Sequence, residues 1–239
     1  MSGRTRERLV LLHTERDLIV IDKPAGLLTM PSAPGRAEHE DSVLRRARAY
    51  AQHKQGRRAY AGLLHRLDRG TSGALAIALS REVHAAGRLL FKAHHFERIY
   101  CALGEGVPDP AEGTIDRPIS GEYLDGRRDV ADGKPGALPA RTHYRVAERF
   151  GREAALVELQ LETGRQHQIR VHLSSIGHPV LDDRVYARTP ASAKRTDRPF
   201  LHAWKLGFPH PLTRSPIQAE APLPRDFVGR IERLRSSNA

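Results

Sequence analysis

The stretch Leu64 to Ala78, L-H-R-L-D-R-G-T-S-G-A-L-A-I-A, constrains the fold of this chain more than any other. Its first half is charged and turn-forming, and its second half runs into the small apolar residues Ala74 to Leu79. That combination reads as a charged loop delivering into a buried strand. A buried strand needs a core around it, and 239 residues are enough to build one, as one large domain or two small ones. At the centre of the loop is Asp68, flanked by Arg66 and Arg69 and followed by Gly70, Thr71, Ser72 and Gly73. Backbone and hydroxyl donors of such a turn can stabilise an ionised carboxylate, while the two arginines lower its pKa and attract a polyanion. An aspartate so placed also commonly does no more than organise its own turn, and the stretch by itself leaves both roles open.

The charge balance narrows the partners. A net charge of +11 and a pI of about 10.4 make phosphate backbones, membrane headgroups and acidic proteins the natural attractants, with nucleic acid the leading candidate. The cations are spread through the chain, with clusters at Arg45-Arg46-Arg48, Lys54 to Arg58 and Arg127-Arg128. Scattered arginines point to a folded face or cleft rather than a tethering tail, although arginine-rich surfaces also serve solubility alone. Arg4, Arg6 and Arg8 interrupt any secretory pattern, and no apolar stretch has bilayer length, so a cytoplasmic protein with no membrane association is expected. One cysteine, Cys101, excludes an internal disulfide and a multi-cysteine metal site.

Taken in order, Leu9 to Leu12 and Leu18 to Asp22 read as strands, closed by Lys23-Pro24-Ala25-Gly26, and Pro31 to Asp41 as a loop. Ser42 to Gln55 reads as a helix capped by Ser42, with Gly56 past its end and one arginine-rich face that suits solvent or phosphate. Arg81 to His94 is an amphipathic helix. Glu97 to Leu103 is a strand with Tyr100 and Ala102 on one face and Ile99, Cys101 and Leu103 on the other, which makes Cys101 a core residue rather than a nucleophile. Thr114 to Ile119 is a further strand, and Asp125 to Ala140 a flexible insertion or hairpin tip. Thr142 to Glu148 and Ala154 to Glu162 pair as antiparallel strands, and Gly164 to Ile176 reads as a helix capped by Thr163. Ala187 to Arg198 reads as a mobile loop, Phe200 to Phe208 and Ile217 to Ala221 as closing strands, and Asp226 to Leu234 as a last helix.

Several chemistries fail on spacing. H-E-x-x-H, the P-loop and G-x-G-x-x-G after a strand are missing. Among thirteen histidines, His94-His95 and the pair His167 and His172 do not share one helical face, so no metal is expected. Ser72 lacks the G-x-S-x-G setting of a serine hydrolase. What remains are three segments: His65-Arg66-Leu67-Asp68 in a turn, Tyr100 on a strand, and Thr163 to Arg170, T-G-R-Q-H-Q-I-R. Together they resemble the RluA-type pseudouridine synthases. The resemblance rests on H-R-L-D-x-x-T-S-G from His65 to Gly73 and T-G-R-x-H-Q-I-R-x-H from Thr163 to His172. Around these stand D-x-I-V-I-D-K-P-A-G from Asp17, Gly177-His178-Pro179 with Asp182 or Asp183 before Tyr186, Leu201-His202-Ala203, and His210-Pro211-Leu212-Thr213. The matching blocks run from about residue 10 to about residue 225 in the family's order.

The resemblance implies an α+β fold, a mixed and mainly antiparallel central sheet flanked by helices and loops, with an active-site cleft across it. It implies isomerisation of specific uridines in ribosomal or transfer RNA, by cleavage of the C1′–N1 bond, rotation of the base and rejoining through C5. Carried over by residue, Asp68, Tyr100 and Arg170 are the catalytic set: Asp68 acts beside the glycosidic bond, Arg170 keeps it ionised, and Tyr100 stacks on the base and is a candidate for moving the C5 proton. Whether Asp68 attacks the sugar, attacks the base or assists proton removal stays open. Arg66 is assigned to the space left by a flipped nucleotide, and Arg69, Thr71, Arg165 and His167 to contacts with RNA. No cofactor and no metal are implied. The expected partner is a structured RNA stem-loop, met by a monomer with no obligate protein partner.

Two features depart from many relatives. Arg98 stands where they have lysine two residues before the tyrosine, and the motifs begin too near the N-terminus to leave room for an S4-type RNA-binding domain. A single catalytic domain over residues 1–239 is therefore expected, choosing its RNA by its own loops and basic face. The rival readings are an RNA-binding or chaperone protein that keeps the fold without the activity, and a carboxylate-dependent nucleosidase, which wants a second acid facing Asp68.

Overall fold

The computed structural model describes residues 8–33, 40–93, 95–124, 126–187, 196 and 198–238. The chain opens with strands β1 (Val10–Thr14) and β2 (Leu18–Lys23), helix α1 (Val43–Gln55), the short strand β3 (Gly62–Leu63) and strand β4 (Ser72–Ala78). Helix α2 (Arg81–Lys92), strands β5 (Glu97–Glu105), β6 (Glu112–Asp116), β7 (Arg141–Phe150) and β8 (Ala154–Leu161), and helix α3 (Gln168–Ser175) follow. Strands β9 (Leu201–Pro209) and β10 (Pro216–Glu220) and helix α4 (Arg225–Ser236) complete it. Among the described residues no helix is long and apolar enough to cross a membrane.

One sheet runs in the order β1-β2-β4-β9-β5-β8-β7-β6, with β3 on β4 and β10 on β9. Every pairing is antiparallel except β4 with β9, where Ser72 lies opposite His202 and Gly73 opposite Ala203. This is the expected α+β architecture. The period of two along the strands divides the core. Ile19, Ile21, Leu75, Ile77, Tyr100 and Ala102 join a cluster covered by α1 through Val43, Ala47 and Ala51 and by α3 through Ile169 and Leu173. Their neighbours Leu18, Val20, Ala74 and Ala76 meet Val83 and Leu90 of α2, and Cys101 and Leu103 meet Phe227 and Ile231 of α4. Helices α1 and α3 thus lie on one face of the sheet, α2 and α4 on the other.

Helices α1 and α2 start where local chemistry directs. Ser42 and Ser80 are extended N-caps whose hydroxyls accept the N–H groups of Arg45 and Val83. Helix α3 is shorter than the periodicity predicts. Gly164 to His167 form a turn, because the Gln168 amide oxygen accepts the Arg165 N–H at 2.9 Å and the Thr163 hydroxyl at 2.9 Å, and His167 adopts a left-handed φ of 60°. Thr163 therefore caps nothing; its oxygen serves the Arg141 N–H and the Gln168 side chain. The expected strand to Ile119 ends instead at Asp116, where the ladder with β7 stops, and Ile119 bridges Val130 and Leu138. Those bridges make the insertion after it a pinned hairpin-like unit, apart from Asp125, which lies outside the described residues. Most of the loops predicted at 31–41 and 187–198 also lies outside them.

One cluster could be mistaken for a metal site. Glu15, Asp17 and His210 converge, but His210 Nδ1 accepts the N–H groups of Leu212 and Thr213, so its proton sits on Nε2 and faces the carboxylates. The group is a knot between two strand connections, with the histidine donating rather than ligating.

The seam between β4 and β9 is a close backbone approach. Gly73 has a φ of 114°, and a Cβ there would lie 2.2 Å from the Ala203 carbonyl oxygen. Gly73→Ala should cost about 3 kcal/mol or more, read as a lowered denaturant midpoint, since backbone rather than a movable side chain stands in the way.

Candidate active site

The Asp68 loop leads from β3 into β4 and is held from below by the segment that follows β2. Lys23, fully buried, donates from Nζ to the carbonyls of Leu27 at 2.7 Å, Pro24 at 3.0 Å and Arg69 at 3.2 Å. Gly26 N–H donates to the Arg69 carbonyl at 2.8 Å, and Arg69 Nε returns to the Gly26 carbonyl at 3.0 Å. The Thr29 hydroxyl donates to the Leu67 carbonyl at 2.5 Å and accepts the Leu67 N–H at 3.2 Å. The turn then closes as Thr71 N–H donates to the Asp68 carbonyl at 3.1 Å. The residues on both sides of Asp68 are thus fixed through the backbone, which leaves the carboxylate free to face the cleft.

Into that cleft comes Arg170 of α3. Its Nε and Nη2 donate to the two carboxylate oxygens of Asp183 at 2.6 and 2.8 Å, while Nη1 reaches Asp68 Oδ2 at 3.4 Å. The principal partner of Arg170 is therefore Asp183, not Asp68. Of the two aspartates the motif left as alternatives, Asp183 takes the role, and its Oδ1 also accepts the N–H groups of Val185 and Tyr186. Burial opposes the charge of Arg170, but Asp183 and then Asp68 more than offset it and raise its pKa. Asp68 keeps 20% of its side chain exposed, whereas Asp183 keeps none.

His167 stands on the same carboxylate, with Nε2 3.7 Å from Asp68 Oδ2. Its left-handed backbone aims it there, and its Nδ1 lies 3.0 Å from the Tyr186 hydroxyl, which accepts the Arg128 N–H at 2.9 Å. That contact holds the ring with its Nε2 turned toward Asp68. Burial lowers the pKa of His167, Arg170 adds to this, and Asp68 pulls the other way, so the ring is neutral near pH 7. Tyr123 stacks edge-on against it at 5.7 Å, which brings the insertion to the wall of the cleft.

Tyr100 reaches the site from β5, where a register shift between Ile99 and Tyr100 against β9 re-aims it. It is buried, and burial pushes its hydroxyl up to about 12, with Arg98 opposing and Asp68 adding to the rise. Arg98, also buried, donates to the carbonyls of Leu161 and Glu162, lies over the Phe91 ring at 5.0 Å and holds the strand end that leads into Gly164. His65 accepts the Ala76 N–H on Nε2 at 3.0 Å and stacks on Phe91, and burial takes its pKa down to about 3, so it is a neutral structural group.

The remaining expected contacts divide. Arg66 and Arg69 are exposed at the loop, and Arg165 spends its Nε on the Pro139 carbonyl at 2.9 Å. Thr71 is buried at 2% exposure and faces the protein. Gln168 and His172 are internal fasteners: the Gln168 amide donates to Thr142 Oγ1, which donates to His172 Nδ1, and His172 Nε2 donates to the Arg117 carbonyl. Lys23, Thr29, Asp183 and Tyr186 were not singled out from the sequence as site residues. Lys23, Asp183 and Tyr186 do lie inside the quoted motifs, whereas nothing local marks Thr29.

A profile of the RNA pseudouridylate synthases matches residues 17–175. A ribosomal large subunit pseudouridine synthase D from Pseudomonas aeruginosa is 38% identical over 95% of this chain and 72% of its own length. The RNA pseudouridine synthase YhcT of Bacillus subtilis is 38% identical over 92% and 70%. Among solved structures, human RNA pseudouridylate synthase domain containing 4 superposes with a TM-score of 0.79 at 28% identity, over 95% of this chain and 93% of that one. This chain belongs to the RNA pseudouridylate synthase family. It is an isomerase that converts uridine in RNA to pseudouridine.

Lys23 generates a prediction about pH. Its three carbonyl partners call for an ammonium, yet burial, the larger influence, drops its pKa to about 7 from 10.5. Between pH 7 and 10 the unfolded chain then carries a proton there that the folded chain has lost, so stability rises with pH in that window. Lys23→Met should remove that rise, a difference on the order of 1 kcal/mol per pH unit between the two proteins in urea titrations.

Proposed function

We propose that Asp68 is the catalytic carboxylate and that Arg170 and Tyr100 complete the reacting set. The observation that carries this is the asymmetry of the Asp183–Arg170–Asp68 row. Asp183 takes the bidentate pair, and Arg170 presents one further N–H to Asp68, the only partly exposed carboxylate of the row. Such a group has a cation beside it and still keeps an oxygen open to a substrate. A carboxylate in that position stands beside the glycosidic bond, within reach of the sugar, the base or a sugar proton, so each of the three routes stays open. His167 adds a second polar neighbour, its Nε2 standing 3.7 Å from the same carboxylate oxygen.

Tyr100 meets the base as a neutral ring. With its hydroxyl pushed up to about 12, it keeps its proton at pH 7, so any role in removing the C5 proton requires a concerted hand-off to a neighbouring base, a part we assign to Asp68. The nucleotide reaches this buried pair only when flipped from its stack, at a cost of a few kcal/mol. Arg66, exposed beside Asp68, is the planar cation suited to the vacated space.

The substrate is a structured stem-loop, and the large-subunit ribosomal RNA is its preferred source, since relatives such as the Pseudomonas aeruginosa synthase carry that assignment in their names. The protein works in the cytoplasm as a monomer and recognises RNA with its catalytic domain.

Tritium release from RNA labelled at uridine C5 tests the roles. Asp68→Asn should release none while still binding RNA, and Arg170→Ala should lower kcat by about 100-fold with a far smaller change in KM. Loss through KM alone contradicts the pairing. Asp183→Asn should resemble Arg170→Ala, because it frees the guanidinium to close fully on Asp68 or leave it.

A further inference from the structure

We infer that the outward side of α1, together with the turn after it, is a phosphate-binding track for the RNA stem that flanks the target uridine. The inference deepens the family's activity by locating the footprint of the RNA on this chain.

Helix α1, V-L-R-R-A-R-A-Y-A-Q-H-K-Q, contains no acidic residue. Its inward side is set by the buried Val43, Ala47 and Ala51. At 100° per residue Arg45 points away from them, Arg48 lies about 60° round from Arg45, and both are exposed. Arg57 and Arg58, exposed in the turn beyond Gly56, extend the row. None of these four holds an ion pair among the described residues, whereas Arg46 is taken by Asp41 at 2.6 Å.

The position of the helix gives those charges a direction. Val43 N–H donates to the Leu28 carbonyl and Leu44 N–H to the Thr29 carbonyl, and Thr29 is the residue whose hydroxyl clamps Leu67, next to Asp68. Helix α1 therefore starts beside the loop that carries the carboxylate, on the same face of the sheet as Tyr100 and α3. From there it runs about 20 Å across the sheet to the β1–β2 turn, where Gln55 Nε2 donates to the Arg16 carbonyl. A stem whose flipped nucleotide sits at Asp68 has its backbone carried along this helix. On the opposite face of the sheet the cations are interspersed with acids: α2 carries Glu82, and α4 carries Asp226 and Glu232.

The competing account is that these arginines only keep the protein soluble, and a matched control separates the two. Arg45, Arg48, Arg57 and Arg58 are changed together to glutamine. In a second protein Arg88, Lys92, Arg225 and Arg233, exposed on α2 and α4, are changed likewise. The probe is total RNA labelled with tritium at uridine C5, taken from cells lacking the gene. Filter binding and tritium release are followed as salt is raised from about 50 to 200 mM, a span over which phosphate contacts weaken steeply. The α1 variant should show an apparent KM raised about tenfold or more, kcat within twofold of wild type, and a log–log salt slope shallower by about 2–3. The control variant should stay within twofold of wild type in all three. Unchanged affinity and slope in the α1 variant, or equal losses in both variants, overturns the track. If wild type bound this RNA without releasing tritium, the isomerase reading would fail while the binding comparison still decided the track.

Discussion

Arg170 is a buried guanidinium, and removing such a charge from water costs several kcal/mol unless fixed partners replace the solvent. Asp183 supplies them almost completely, through two short hydrogen bonds and a carboxylate that the backbone of Val185 and Tyr186 also holds. The arginine is thereby stabilised by an aspartate that never meets solvent, and its remaining N–H can face one that does. The exposed carboxylate gains a cation without being sealed by it. Helix α3, the turn at Asp183 and the loop at Asp68 are all held in register by this one row of charges.

The loop at Asp68 is rigid for a second reason. Lys23, Gly26 and Thr29 grip the carbonyls of Leu67 and Arg69 and the Leu67 N–H, while the Leu67 side chain is buried in the core. Backbone contacts of this kind tolerate a polar, solvent-facing side chain between them. Two different sources of order thus meet at one carboxylate, a scaffold beneath and a charge row beside it. The alternation along the strands then gives the sheet a face for this site, with α1 and α3, and a second face on which α2 and α4 pack.

Much of the fold was legible along the chain. The cap at Ser42, the facing of Tyr100 against Cys101 and the antiparallel pair before Thr163 follow from local rules, and each stands in the structure where those rules place it. The start of α3 was misread because the periodicity of Ile169, Leu173 and Ile176 says nothing about Gln168, whose side chain folds back on Arg165 and Thr163 and replaces a helical turn. The insertion, read as flexible or as a hairpin tip, is hairpin-like and pinned by bridges at Ile119, and it brings Arg128, with Tyr123 just before it, to the site.

The sequence by itself determined the family, the basic character and the motifs that converge, because a motif records which residue types a chemistry requires in order along the chain. It could not say which carboxylate Arg170 prefers, since Asp68 and Asp183 are both aspartates in expected positions and differ only in burial. It also could not show that His167 faces Asp68 with its Nε2, which depends on a left-handed backbone and on Tyr186 and Arg128 meeting at its other nitrogen. Those choices were made by tertiary structure, because burial and hydrogen-bond partnership depend on which distant segments close around a side chain.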